Sequence, residues 1–472
     1  MRQIGAGGVL LALWFLVPAA AQSRAPVTVP AGAYEPVAVS ADHPRLFLRP
    51  QRLRLLARER ERASVRWQQF DGFLAGEAPM PEPGFAQALY YQVSGNAVAG
   101  QRAIAWALGP QTDLRQLALV FDWCQKLLSE PQRRALASRL RERMEATAGD
   151  DSIPAVRSRV LAAVALFDHV PDIPNRELER VVRNWWGAKM APALAAGSSV
   201  VPREDAYPLW ELLHAIRDAA NIDLRESSPR FFKAFPIEHL MSYYPPAFRG
   251  EDNDFRVGVS EKAGEPDLQQ ATLSRAADLA MVAYDTNAEE SQYLQGWLMH
   301  DNFMLRSTLG APYEFLWANQ YQPGLSFTLL PLIFHDSESG RLFVRSDWDD
   351  SAEWFGYFDG VAQLFRDGRR TLLHAAGANA PITFPSAVIY LGASGLKFRI
   401  TLDEEQAAVI LAGLSPRHTY QVEIDDEEVF EATTDPAGIL VLELLHGKEV
   451  GVRLRDPLPL VAAQPDLRRA PE

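Results

Sequence analysis

The sequence predicts an all-α domain followed by a smaller β-rich one, and three observations carry that expectation. Between Phe85 and Arg306, apolar residues recur at helical spacing in one segment after another, with short breaks roughly every 15–30 residues and no strand signal between them. Beyond Leu325 the pattern changes to short alternating runs, aromatic and β-branched, broken by Gly, Pro and Asp. The composition, 47% hydrophobic and 23% charged over 472 residues, is that of a folded chain large enough for more than one core.

Met1–Ala21 reads as a secretory signal peptide: Arg2, an apolar run Val9–Val17, then Pro18-Ala-Ala-Ala21 before Gln22. Its apolar run is too short for a membrane anchor, so the expectation is an exported protein, periplasmic or extracellular. Residues 22–42 form an extended leader rich in Pro, Ala and Val. The α domain is expected over 43–325. A basic helix begins at Pro50, and further helices follow at Phe85–Gly95, Ala97–Leu108, Asp113–Leu128, Glu130–Thr147, Pro154–Phe167, Arg176–Ala195, Tyr207–Ala220, Ser228–Ser242, Asp267–Tyr284 and Ser291–Arg306. The β domain is expected over 326–456. Its strands include Arg341–Trp348, Ala352–Phe358, Ala387–Leu391, Leu396–Leu402, Ala407–Ala412, Tyr420–Ile424, Glu428–Ala432, Ile439–Leu445 and Glu449–Leu454. Residues 457–472 read as a loose tail.

The Tyr207–Ala220 segment carries the most chemistry. Leu209, Leu212, Leu213, Ile216 and Ala220 share one face, while Tyr207, Glu211, His214 and Asp218 share the opposite one. The second face is either solvated or lines a polar cavity. Downstream, Tyr243-Tyr244-Pro-Pro246 and Arg249-Gly-Glu-Asp252-Asn-Asp254-Phe-Arg256 combine aromatics, carboxylates and Arg, a set suited to sugars, which offer apolar ring faces and many hydroxyls. Cys124, the sole cysteine, sits in an apolar helical pattern and reads as a buried small residue.

Several segments resemble the heparinase II/III-like and alginate-lyase-like polysaccharide lyases. They are His43-Pro-Arg-Leu-Phe-Leu48 with the basic helix after it, Ala88-Leu-Tyr-Tyr-Gln-Val-Ser-Gly95, Phe121-Asp-Trp123 with Leu128-Ser-Glu-Pro-Gln132, and Gly340-Arg-Leu-Phe-Val-Arg-Ser-Asp-Trp-Asp349. The resemblance implies an incomplete α/α toroid packed on a small antiparallel β-sandwich, with a glycan in the cleft between them. It implies β-elimination at a uronic acid, which needs a base, a proton donor for the leaving oxygen, and groups that neutralise the carboxylate as enolate charge develops. The family's Tyr opens a toroid helix, so Tyr207 is the implied base and acid. His214 joins it by geometry on the same face. Arg256, with Arg157, Arg217 and Arg249, is the expected source of neutralising charge, and Glu211, Tyr243, Tyr244, Asp252 and Asp254 are expected substrate contacts. Two segments depart from the family pattern: Asp150-Asp-Ser-Ile153 has neither His nor Asn, and Asp359–Gly368 lacks a His-x-His segment, the nearest His being His374. The alternative is therefore a glycan-binding or assembly protein that kept the scaffold without the chemistry.

Other readings are weaker. Glu204 or Asp205 with Asp252 or Asp254 would make a glycosidase-like carboxylate pair. Asp252-x-Asp254 lacks the ligand register of a calcium loop. His300-Asp301 and His335-Asp336 lack metal spacing and read as structural; no cofactor is expected, and the sequence leaves a metal open. The net charge of −13, falling to −14 once Arg2 is cleaved away, disfavours nucleic acid or an anionic membrane as partner. A polysaccharide or oligosaccharide is the partner expected, and no signal for oligomeric state is present.

Overall fold

A computed structural model describes residues 37–456 apart from 41, 111–112, 171, 199–200, 252, 261–264, 374–379, 393–395, 404 and 407. The expected signal peptide, most of the expected leader, the expected C-terminal tail, Asp252 and His374 lie outside the described residues.

The helical part comes first. Its elements are α1 (Pro50–Glu61), α2 (Val65–Ala75), α3 (Pro83–Ser94), α4 (Ala97–Leu108), α5 (Leu114–Trp123), α6 (Glu130–Ala146), α7 (Ile153–Leu166), α8 (Asp172–Glu179), a π-helical stretch Arg180–Met190 continued by α9 (Ala191–Ala195), α10 (Ala206–Ala220), α11 (Pro229–Met241), α12 (Leu268–Tyr284), α13 (Glu289–His300) and α14 (Gly310–Trp317). Local chemistry starts many of them. Ser64, Asn96, Asp113 and Asp267 accept backbone N–H bonds at N-caps, and Ser129 with Gln132 forms a capping box. Helix α3 packs on α5, α5 on α7, α7 on α10, α10 on α12, α12 on α14, and α14 returns to α3. One continuous apolar core runs through this set, and Cys124 is fully buried in it.

The β-rich part holds three sheets. The first, β3 (Ile333–Asp336), β4 (Arg341–Arg345), β5 (Trp354–Phe358), β6 (Val361–Arg366) and β7 (Arg369–Leu373), is an antiparallel meander in chain order. The second orders β14 (Leu440–Leu442), β11 (Ala408–Ala412), β9 (Ala387–Leu391) and β8 (Ile382–Thr383); the third orders β10 (Lys397–Thr401), β15 (Glu449–Arg455), β12 (Thr419–Ile424) and β13 (Glu428–Thr433). A short hairpin, β1 (Phe248–Arg249) with β2 (Asp254–Phe255), belongs to the helical part.

The expected antiparallel β-sandwich takes the form of stacked sheets, the middle one with a parallel pair. Leu342, Val344 and Phe355 of the first sheet pack on Ile389 and Ile410 of the second, whose other face, through Val388, Val409 and Leu411, packs on Tyr420, Val422 and Val452 of the third. The middle sheet is thus covered on both sides. That is why Ala387–Leu391 and Ala408–Ala412 are unbroken apolar runs, and β9 and β11 pair in parallel. The outer face of the first sheet meets the helices: Phe343, Trp354 and Phe358 pack with Met241 and Tyr244, and the Trp354 indole donates to the Met241 carbonyl at 2.8 Å. Among the described residues no helix is long and apolar enough to cross a membrane.

One core carboxyl predicts a pH dependence. Glu314 on α14 is buried, and its Oε2 has no hydrogen-bond partner. Burial pushes its pKa from 4.5 up to about 7, with Arg66 and Arg306 opposing. The folded chain therefore binds this proton more tightly than the unfolded one. The stabilisation is complete below pH 4.5 and is lost as pH rises through 7, by an amount on the order of 3 kcal/mol. Glu314→Gln is expected to flatten this slope, making the variant more stable than the parent at pH 8. Urea unfolding at pH 5 and pH 8 measures it, and parallel pH profiles for the two proteins would refute it.

Candidate functional site

The polar face of α10 does not line a cleft. Tyr207 is 2% exposed; its hydroxyl donates to Glu211 Oε1 at 2.8 Å and accepts from the Trp317 indole at 3.0 Å. Glu211 receives Arg115 through Nε and Nη2 at 2.7–3.0 Å and is also bonded by Arg157. Arg115 reaches on to Glu82, which accepts the Tyr313 hydroxyl. Burial alone would push the Glu211 carboxyl up, but the two guanidiniums override it and hold the group below its ordinary value. Burial and the Glu211 charge drive the Tyr207 phenol well above its ordinary value. This phenol is doubly hydrogen-bonded and shut away from solvent.

His214 is enclosed in the same way. It is fully buried between Trp317 and Tyr284, donates from Nε2 to the Ala280 carbonyl at 2.9 Å, and accepts from Arg217 on Nδ1. Burial, then Arg217, holds its pKa well below the ordinary value, so the ring is neutral. Arg217 is spent on the Tyr284 carbonyl, His214 and Asp218. Arg249 and Asp254 face each other across the β1–β2 hairpin, both exposed.

Tyr243, Tyr244 and Arg256, by contrast, are brought together. Pro245 and Pro246 stop the chain from continuing α11, and the segment turns to run beside the stretch after β2 that carries Arg256: Tyr244 N–H donates to the Val257 carbonyl at 3.0 Å, and Val259 N–H to the Ser242 carbonyl at 2.8 Å. Gly258 makes room at that crossing for the Arg203 side chain, whose Nε would lie 1.9 Å from a Cβ there, so a larger residue would have to displace that guanidinium. The Arg203 guanidinium lies 3.9 Å over the Tyr243 ring, and the Tyr243 hydroxyl donates to Asp278 at 2.8 Å. Tyr244 is anchored to the first sheet through Gln363 at 2.7 Å.

These residues wall a cavity of 220 Å³ between the helical part and the loop joining β4 to β5, completed by Pro245, Trp297, His300, Arg345, Trp348, Asp349 and Asp350. Period-two alternation puts Arg345 there. Leu342 and Val344 of β4 face the second sheet, so Arg341, Phe343 and Arg345 face the helices. Trp297, buried in the helical core, is also a cavity wall.

The two guanidiniums in the wall differ. Arg256 holds both oxygens of Asp301 at 2.8 and 2.9 Å and Asp350 at 2.8 Å; burial opposes its charge, but these carboxylates keep its pKa above the ordinary value. Arg345 is 4% exposed, donates to the Tyr243 and Asp347 carbonyls, and stacks at 4.9 Å over Trp348. Among the described residues no carboxylate is within ion-pair distance of it. Burial, and then Arg256, lowers its pKa to about 10. The Trp348 indole N–H finds no acceptor among the described residues. Arg345 was not singled out as a site residue, although the Arg-Ser-Asp-Trp segment that carries the family resemblance contains both it and Trp348.

No protein-family profile matches this chain, and no curated protein matches it. Among solved structures, one named "Glycoside hydrolase" is similar over 80% of this chain and 71% of its own, with a TM-score of 0.31 and 9% sequence identity.

Proposed function

We propose that this protein is carbohydrate-active, and that it takes a carboxylate-bearing sugar of a uronate-containing glycan into the cavity between its helical and β-rich parts. The observation that carries the reading is Arg345, a desolvated guanidinium in the cavity wall with no carboxylate of its own. A bound uronate would supply the missing anion as a planar, two-pronged partner, while Trp297 and Trp348 offer ring faces for the sugar. The succession of helices that returns from α14 to α3 supports an α/α toroid as the scaffold.

A second reading rests on His300. It stands exposed at the cavity and makes no hydrogen bond among the described residues. In β-elimination a base takes the proton from the carbon alpha to the carboxylate, the C4–O4 electron pair departs on oxygen, and a C4–C5 double bond forms. His300 would be the base and Arg345 the group that stabilises the enolate. Tyr207 takes no part in either reading.

Purified protein would be titrated by calorimetry with alginate, heparan, chondroitin and a neutral glucan, and the same mixtures followed in the near-ultraviolet for the unsaturated product. The binding reading expects affinity for one or more uronate polymers and none for the glucan. A rise in absorbance that His300→Ala abolishes adds β-elimination. Equal affinity for neutral and acidic polymers, or for none, defeats both.

A further inference from the structure

Far from that cavity in the chain, three side chains converge with no role in the readings above. His43, just ahead of α1, and Asp168 and His169, in the turn after α7, each offer one donor atom, all within 4.8 Å of one another. We propose that His43 Nε2, Asp168 and His169 Nε2 form a binding site for a divalent transition metal of the zinc class, with Asp122 orienting His43 from behind.

The hydrogen bonds place the lone pairs. Asp122, fully buried on α5, also receives the Arg45 and Leu46 backbone N–H groups at 2.9 Å, which marks it as an ionised acceptor. Its Oδ1 lies 2.5 Å from His43 Nδ1, so that nitrogen carries the proton and, in the neutral ring, Nε2 carries the lone pair. This carboxylate–imidazole pairing is the outer-shell device that fixes the tautomer and raises the basicity of metal-binding histidines. Nε2 itself makes no hydrogen bond among the described residues, and Asp168 Oδ2 stands 3.4 Å from it. His169 Nε2 faces the Gln125 side-chain nitrogen at 3.3 Å, while Gln125 Oε1 accepts from Arg133 at 3.3 Å. The amide is thereby oriented as a donor, and His169 Nε2 is the unprotonated nitrogen. An ion would take that lone pair over from Gln125, so two imidazole nitrogens and a carboxylate oxygen, all within 4.8 Å of one another, are available to it.

The spacing suits such an ion. Bonds of about 2.0–2.2 Å in a tetrahedral arrangement separate ligand atoms by a little over 3 Å, close to the 3.4 Å between His43 Nε2 and Asp168 Oδ2; His169 Nε2 lies 3.5 Å from the other oxygen, Oδ1, and within 4.8 Å of both partners' ligand atoms. Arg45 is the opposing charge; it bonds Asp168 Oδ1 at 2.9 Å and leaves Oδ2 toward His43. Asp168 is partly exposed, so a fourth position is open to water. Nitrogen-rich donors favour zinc, nickel or copper over magnesium or calcium. An ion here would tie the segment ahead of α1 to the α7–α8 turn, two places 125 residues apart in the chain.

The test uses the purified chain, stripped with a chelator and titrated with zinc chloride by calorimetry. One equivalent binding in the micromolar range or tighter, with a rise in Tm, is expected; no stoichiometric binding overturns the proposal. His169→Gln, at a partly exposed turn, is expected to weaken binding by about tenfold or more, whereas His418→Gln, in the β-rich part, leaves it unchanged. Full-affinity binding that survives His169→Gln also overturns it. Nitrogen-15 spectra of the histidines give a readout on the parent protein: zinc must shift the Nε2 signals of His43 and His169, and shifts confined to other histidines refute the assignment.

Discussion

Replacing Glu211 by Ala is expected to cost about 3–5 kcal/mol, because it leaves two buried guanidiniums facing each other without their counter-ion. Arg115 and Arg157 both end on this carboxylate, from α5 and α7, with Arg115 buried and Arg157 largely so. Glu211→Gln keeps an acceptor but removes the charge, and is expected to fall between Ala and the parent. Tyr207→Phe is a much milder change. It takes one hydrogen bond from a carboxylate that retains its Arg partners and leaves the Trp317 N–H unpaired, for about 1–2 kcal/mol. Urea unfolding of the three variants gives the ranking, and polymer binding by folded Tyr207→Phe is expected to match the parent. If that variant were folded yet lost all turnover of a glycan, the reacting centre would lie at this end of α10 and not at the Arg345 cavity.

The same network explains what could be read from the chain alone. Helix positions were legible because a helix's apolar stripe is local: Ala97–Leu108 is found with its expected ends, and Tyr207–Ala220, Ser228–Ser242 and Asp267–Tyr284 to within one residue at each. Helix α2 escaped because its pattern, Val-Arg-Trp-Gln-Gln-Phe, puts a buried Arg66 on the packed side. Strands β6 and β7 escaped because turn residues punctuate Asp359–Gly368 and β7 alternates without a strong apolar face. The polar face of α10 was also legible, but what fills the space opposite it was not. Arg115, Arg157 and Trp317 arrive from other helices, and no spacing along the chain announces that three neighbours will supply partners for a phenol and a carboxylate. Tyr243, Tyr244 and Arg256 fared better since a Pro-Pro break forces a loop, and loops between packed parts form walls. Arg345 was hidden inside a strand, where alternation said only which face it took. His43 and His169 were hidden by 125 intervening residues.

Arg345 offers the sharper functional prediction, because stability and affinity should move in opposite directions there. A guanidinium buried without a carboxylate is a cost to the folded chain, offset only by two carbonyl acceptors and the Trp348 face. Arg345→Met keeps most of the stem's packing and removes that charge. The variant is expected to unfold at the same urea concentration as the parent or a higher one. Affinity for a uronate polymer is expected to fall by about tenfold to hundredfold, the worth of a charge-assisted hydrogen bond of about 1.5–3 kcal/mol. Arg345→Lys retains a charge but not the planar fork, so it should recover part of the loss and no more. Asp350→Asn should act oppositely: it releases one arm of Arg256 and removes an exposed negative charge beside the cavity, and affinity should rise modestly. A cation kept for structure would behave otherwise. Its loss would destabilise the chain by several kcal/mol and leave binding intact, and that pair of results would retire the cavity as an acidic-sugar site.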